Sequence, residues 1–403
     1  MARGPYLELE QLLGEARRVA GCDDWGSDDW KEPFALFLRS LNAEAELTPQ
    51  GIERTKSHIL KMLIGRLRLF NDRKVFPALA NEQISAPVFL TGQGRSGTSH
   101  LYALLACDPQ SCVPSHWQIW TLSPPPGLPS SDNGPQIAAG QHYIQFEGWQ
   151  DPDLRSKHDY DNAGPAEDTL IQDFTFASRT FSFFWNVPSY AAWLANADIA
   201  AAYRFERKVL QALQFGRTCS QWVLKSPIHL SQLTPLFGEF PDARIVVTHR
   251  DPVKCLGSVM SLLGAHRKQF GNAPVAVDRS YALMVMEDAA ATLEDLIRRR
   301  RDPEFDKRFV DVKYLDLEQH PIRQVEEIYR RLGVGLKPEA RAAMERYGTE
   351  HRKGKFGLHR YRLEDAGLRV EEVRDRFRFY TDHFNIPLEN GGDAASGHAP
   401  ARA

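Results

Sequence analysis

Pro87-Val88-Phe89-Leu90-Thr91-Gly92-Gln93-Gly94-Arg95-Ser96-Gly97-Thr98-Ser99-His100 is the stretch on which the fold turns. Residues 87–91 form a short apolar run stopped by glycine, as expected of a strand buried on both faces of a parallel sheet. Leu101 to Ala106 then follow a helical pattern. Between strand and helix, glycines allow a tight turn and a close backbone approach to an anion. The N–H groups of the first helical turn point at the same place and contribute about 0.3–2 kcal/mol toward a negative group. Ser96, Thr98 and Ser99 add hydroxyls, and Arg95 adds a fixed charge. The Gly-Lys-Ser/Thr ending of an ATP or GTP loop is missing. Gly92, Gly94 and Gly97 satisfy G-x-G-x-x-G, but Pro114-Ser115-His116-Trp117 stands where a dinucleotide site needs a strand-end acid.

Outward from this loop the pattern repeats. Trp222-Val223-Leu224-Lys225, Arg244 to Thr248 and Phe309 to Val312 are further apolar runs. Helical patterns at Tyr203–Phe215, Val253–Leu263 and Tyr281–Arg300 lie among them. Strands alternating with helices predict an α/β fold with a central parallel sheet. Thr48-Pro49 caps a helix in which Ile52, Ile59, Leu63, Leu67 and Phe70 recur at helical spacing. The basic residues between them, Arg66 among them, read as a solvated face.

The whole chain sets wider limits. Its 403 residues are 42% hydrophobic and 25% charged, with a net charge of −2, so most of it is globular. Near-neutral charge argues against a nucleic-acid binder but not against a local basic pocket. Five cysteines without a CxxC suggest neither a disulfide framework nor a zinc site, and favour a reducing compartment. No apolar run reaches membrane-spanning length, and residues 1–5 lead into an acidic amphipathic stretch. A soluble, cytoplasmic protein is expected.

Two more strand ends carry chemistry. Thr248-His249-Arg250-Asp251-Pro252 closes one strand, and Ser258 lies two turns along the helix that Asp251 caps. Arg250 and Ser258 could therefore face one ligand, with the arginine suited to bidentate phosphate bonds. Trp222 to Leu230 ends another strand at Lys225 and continues Ser226-Pro227-Ile228-His229-Leu230.

Gly-x-x-Arg-Ser-Gly-Thr-Ser after a strand resembles the 5′-phosphosulfate loop of sulfotransferases that use 3′-phosphoadenosine-5′-phosphosulfate (PAPS), although Gly94 stands where many members have proline. Arg-Asp-Pro with its serine is similar to their 3′-phosphate motif. Leu224-Lys225-Ser226-Pro227-Ile228-His229-Leu230 resembles a stretch of the bacterial branch related to tyrosylprotein enzymes. The resemblance covers about residues 85–385. It implies a P-loop-like three-layer sandwich, PAPS as co-substrate and no metal, and no metal-ligand spacing occurs. It assigns the donor to Gln93, Gly94, Arg95, Ser96, Gly97, Thr98, Ser99, Arg250 and Ser258, and by a partial Arg-Lys-Gly match to Arg352, Lys353 and Gly354.

Lys225 becomes the candidate for stabilising the transferred group. Relatives carry Trp-Glu where this chain has Trp117-Gln118. Gln118 cannot be a base, so that role would move to His116, whose ordinary pKa suits it. Gly164-Pro165-Ala166-Glu167-Asp168 resembles an element near the acceptor, making Glu167 the rival base with His158 a companion. His229 is placed in the first turn of its helix.

Aromatic residues are dense: Trp117, Trp120, Tyr143, Phe146, Trp149, Tyr160, Phe174, Phe176, Phe181, Phe183, Phe184, Trp185, Tyr190 and Trp193. Beside a long loop they suggest an apolar or aromatic small-molecule acceptor. The expected division is a helical N-terminal extension (1–82), an α/β domain (83–388) with an acceptor loop at about 120–165 and a C-terminal helical cap, and a disordered tail (389–403). A homodimer is one open arrangement, as no residue pattern selects an oligomeric state. A small-molecule kinase and a non-catalytic nucleotide-binding module remain as alternatives.

Overall fold

The computed structural model describes residues 6–129, 132–144, 161–270, 278–351 and 363–389, with side chains 267–270 left out. Five parallel strands form one sheet: β1 (Val88–Gly92), β2 (Ser111–Cys112), β3 (Gln221–Lys225), β4 (Arg244–His249) and β5 (Phe309–Lys313), in the order β2-β3-β1-β4-β5. β1 is central. Phe89 pairs with Leu224 on one side and Ile245 on the other. β2 and β3 lie to one side of it, β4 and β5 to the other, so the winding reverses at the carboxyl end of β1. Open α/β sheets bind ligands at that edge.

Alternate strand residues feed different layers. Phe89, Leu224, Ile245 and Val247 enter one apolar cluster, and Val88, Leu90, Val223 and Val246 another. That division follows from the two-residue side-chain period of a strand and makes the expected three-layer arrangement. The edge strand β2 was not anticipated: two residues between Asp108 and Val113 carry no apolar run of their own, and pairing with β3 defines them.

Three N-terminal helices, α1 (Leu9–Ala20), α2 (Lys31–Glu44) and α3 (Pro49–Val75), join the first cluster. Thr48 caps α3, its hydroxyl accepting from the Gly51 amide at 2.8 Å. Arg66 of α3 is not on a solvated face. It is 1% exposed, and its guanidinium donates to the carbonyls of Trp25, Ser27 and Phe174. Helical spacing reports which way a side chain points, not whether another segment will cover it.

The dense aromatics also largely form core. Phe176, Phe181, Trp185 and Tyr190 are buried against α2, with Phe34–Phe176 and Phe37–Phe181 centroids 4.2 and 4.3 Å apart, and Phe174 is buried beside Gly65 of α3 and Phe205. Phe146, Trp149 and Tyr160 lie outside the described residues. After α4 (Thr98–Leu105) and α5 (His116–Trp120), the expected acceptor loop is not pure coil, for it contains α6 (Gly134–His142).

Cys112 and Cys219 form a disulfide, contrary to the expectation from cysteine spacing. They are 107 residues apart and meet only because β2 pairs alongside the start of β3. At the other end, helices Val370–Arg376 and Arg378–Phe384 cap the β4 side. The His249 ring stacks on Phe384 at 4.2 Å and bonds the Tyr380 hydroxyl at 3.0 Å. Among the described residues no helix is long and apolar enough to cross a membrane.

Candidate active site

The loop between β1 and α4 has unusual backbone geometry. Gly97 has φ 95°, and a Cβ there would sit 2.9 Å from the Tyr314 ring, so glycine is required on both conformational and steric grounds. Arg95 also lies in the left-handed region, φ 70°, where a non-glycine residue is uncommon. That conformation is held by its neighbours: the Arg95 Nε donates to Ser258 Oγ at 2.9 Å, and Arg250 donates to the Arg95 carbonyl at 2.9 Å. The two motifs that are far apart in sequence therefore meet around Arg95.

Ser96 turns inward. Its hydroxyl donates to the Gln93 carbonyl and lies 2.6 Å from Thr248 Oγ1, tying the loop to β4 rather than presenting a donor to a ligand. Thr98 and Ser99 start α4, where main-chain N–H groups are unpaired by the helix itself. Gln93 is buried, and its Oε1 has no hydrogen-bond partner among the described residues. A buried polar atom without a partner is costly, so it fits a site that a ligand's hydrogen-bond donor completes.

Arg250 at the end of β4 lies 3.8 Å over the Tyr314 ring. Its Nε and Nη2 clasp both oxygens of Glu389 at 2.7 and 3.0 Å. Burial opposes the charge, but the Glu389 carboxylate outweighs it and holds the pKa above the ordinary arginine value. Glu389, the first residue of the expected tail, thus holds the arginine that the sequence motif assigns to a phosphate. Asp251 caps the following helix, accepting from the Val253 amide at 2.9 Å, as its position before Pro252 predicts.

Lys225 ends β3 and is 3% exposed. Its ammonium donates to Glu167 Oε1 at 2.6 Å and to Ser99 Oγ at 3.2 Å, joining the phosphate loop's helix to the 164–168 segment. Glu167 is 29% exposed and also accepts from Ser226 Oγ. His116 begins α5 and is 4% exposed. Its Nδ1 lies 2.9 Å from the Asp161 carbonyl, so Nδ1 carries the proton and Nε2 is the basic nitrogen. Burial lowers its pKa from the ordinary value, Lys225 adds to that, and the Asp161 bond and Glu167 oppose it. Gln118, at the position of the relatives' glutamate, accepts from the Ser115 amide at 3.0 Å and caps α5.

The structure therefore brings together Gln93 to Ser99, Lys225, Glu167, Arg250 and Ser258. His158, Arg352, Lys353 and Gly354 lie outside the described residues. His229 is buried against Asp168, with its Nε2 2.8 Å from Asp168 Oδ2, not in the cleft. Two partners were missed in the sequence, Tyr314 and Glu389. The first follows β5 directly and could have been found as a strand-end residue. The second lies at the chain's far end, with no local signal.

Residues 87–338, more than half of the chain, match the sequence model of the sulfotransferase family. The chain is 24% identical over 317 residues to omega-hydroxy-beta-dihydromenaquinone-9 sulfotransferase Stf3 of Mycobacterium tuberculosis, spanning 73% of this chain and 75% of that one. Among solved structures it resembles sulfotransferase STF9 from Mycobacterium avium, with a TM-score of 0.85 and 27% identity over 94% of this chain and 97% of that one. It also resembles STF1 from Mycobacterium tuberculosis, with a TM-score of 0.78 and 29% identity over 93% and 99% of the two chains. With residues 87–338 matched by that family model, the chain belongs to the sulfotransferase family.

Proposed function

We propose that this enzyme moves the sulfuryl group of PAPS to a hydroxyl or amine of a small, apolar or aromatic acceptor. The observation that carries the reading is Lys225, whose ammonium bridges Ser99 of the phosphate loop and the Glu167 carboxylate. The 5′ end of the donor would lie on residues 93–99, and its 3′-phosphate on Arg250 and Ser258, with Arg352, Lys353 and Gly354 as further candidates. PAPS supplies the sulfuryl group, which leaves adenosine 3′,5′-bisphosphate behind.

The protein's own part is positioning and charge. Lys225 neutralises negative charge building on the oxygen that leaves. Arg95, braced by Ser258 and Arg250, places its guanidinium beside the loop. A base must take the acceptor's proton. Glu167 suits that better than His116, because it is 29% exposed and touches Lys225, whereas His116 is 4% exposed. Stf3 is named for a hydroxylated menaquinone, which supports an apolar alcohol as the acceptor class here.

The test uses labelled PAPS with 2-naphthol, cholesterol, 1-dodecanol and glucose, read by mass spectrometry for addition of SO₃. Transfer to one or more of the apolar alcohols is expected; transfer to glucose alone would overturn the acceptor class. Adenosine 3′,5′-bisphosphate should raise the thermal midpoint, and ATP with magnesium much less. The opposite ranking would reject PAPS as donor and favour a kinase.

A further inference from the structure

Beneath the Lys225–Glu167 pair, segments 167–169 and 225–229 face one another through a ladder of polar contacts. At the open edge Glu167 meets Lys225 at 2.6 Å and Ser226 Oγ at 3.3 Å. One step in, Thr169 Oγ1 donates to Ser226 Oγ at 2.8 Å. At the closed end Asp168 Oδ2 lies 2.8 Å from His229 Nε2, and both residues are 0% exposed. His229 Nδ1 bonds the Tyr203 hydroxyl at 2.8 Å, and that hydroxyl donates to Gln232 Oε1 at 3.0 Å.

Glu206 stands behind Asp168. Burial, reinforced by the charge on Asp168, pushes its pKa well above the usual carboxylate range, and its Oε2 accepts from Gln172 Nε2 at 3.3 Å. Asp168 Oδ1 and Glu206 Oε1 have no hydrogen-bond partner among the described residues. Burial opposes the charge on Asp168, but His229, by its charge and its hydrogen bond, outweighs it and lowers its pKa.

Such a buried polar cluster is rarely the most stable way to fill a core. What it supplies is one alignment, because sliding either segment would break the Asp168–His229 and Thr169–Ser226 bonds and leave those buried groups unpaired. The groups it aligns are adjacent in the chain: Asp168 follows Glu167, and His229 lies one short turn beyond Lys225.

We propose that Asp168 and His229 are positioning residues for sulfuryl transfer, clamping the two segments so that the Glu167 carboxylate sits against the Lys225 ammonium. This rests on Lys225 and Glu167 being the reacting pair. Neither clamp residue touches the cleft, so their effect reaches the chemistry only through that pair.

The full-length chain tests this with PAPS and the most responsive of the acceptors named above. His229→Phe keeps the volume and removes both ring bonds; kcat is expected to fall about 10²-fold, the loss that a displacement of about 1 Å can cause. The KM for PAPS should stay within about twofold, and the response to adenosine 3′,5′-bisphosphate should be unchanged. His229→Gln should recover part of the rate. In a Glu167→Gln background, His229→Phe should add little further loss, because the group it positions is already disabled. Amide hydrogen exchange at residues 167–169 should rise while β3 stays protected.

A normal kcat in His229→Phe beside a slow Glu167→Gln would overturn this proposal alone, as would losses that multiply in the double variant. A normal rate in Glu167→Gln would overturn the reacting pair and the clamp together. Should His229→Phe fail to fold, Tyr203→Phe removes a single hydroxyl from the network. A fall in kcat without a change in donor KM then supports the clamp, and an unchanged kcat rejects it.

Discussion

Lys225 is a charge at the end of a buried strand, and its position is tolerable only because Glu167 and Ser99 satisfy it. Lys225→Met is expected to slow turnover about 10²–10³-fold, as loss of one preorganised donor to a charged transition state does. Glu167→Gln should cost about 10²–10⁴-fold if it is the base, and His116→Asn much less. Steady-state rates for the three variants settle the base; the reverse order would give the role to His116. Asp173 offers a separate test on stability. Burial raises its carboxyl to about 7, against the hydroxyl bonds of Ser178 and Thr180, so the folded state holds a proton that the unfolded chain releases above its ordinary 3.8. Its contribution is complete below about pH 4 and is lost as pH rises through 7. His58 has the opposite sign. Burial, with Lys61, lowers it to about 3, so stability is lost as pH falls from its ordinary 6.5 toward 3. Relative to the parent, the unfolding free energy of Asp173→Asn should climb by up to about 1.4 kcal/mol per pH unit between pH 4 and 7. Urea titrations at three pH values in that window would show a flat difference if Asp173 titrates normally.

At the scale of elements, the phosphate loop is shaped by backbone geometry as much as by charge. Gly97→Ala forces a side chain into a positive-φ position already 2.9 Å from Tyr314. A penalty of about 1–3 kcal/mol is expected, seen as a lower thermal midpoint and about tenfold weaker adenosine 3′,5′-bisphosphate binding. Unchanged affinity by calorimetry would show that the loop does not hold the nucleotide in this conformation. Helix α3 is attached by Arg66, which donates to three carbonyls from two distant segments. Arg66→Met fills much of the space but orphans those acceptors and should cost at least about 2 kcal/mol in chemical denaturation.

Over the whole molecule, the last described residues return to the carboxyl end of β4. The C-terminal cap delivers Glu389 to Arg250, and the Glu389 amide donates to Asp251 at 2.8 Å. A carboxylate clasped by the arginine proposed for the 3′-phosphate would compete with that phosphate. Glu389→Ala is expected to tighten adenosine 3′,5′-bisphosphate binding by about tenfold, since charged hydrogen bonds contribute about 1.5–3 kcal/mol and part is offset by solvent. Calorimetry giving equal affinities would place the 3′-phosphate elsewhere. Four of the five strands were legible because a strand buried on both faces must be apolar along its length, and the anion loop because its backbone demands glycine. Arg250, Ser258 and Lys225 were legible as strand-end or helix-face positions. The Arg66 staple, the Glu389 clasp and the Asp168–His229 clamp were not, since nothing in residues 60–70, 226–230 or 385–389 names a partner dozens of positions away in the chain.

The sequence by itself determined the alternation of strands and helices, the phosphate loop and the strand ends that carry charge. These follow from local rules: periodic burial, glycine conformations and helix caps act over a few residues. Only the tertiary structure decided that the aromatics of 174–190 are core, that Cys112 reaches Cys219, and that Ser96 turns inward while Lys225 meets Glu167. Those outcomes depend on which segments the parallel sheet sets side by side, and a buried polar group takes whatever partner that packing supplies.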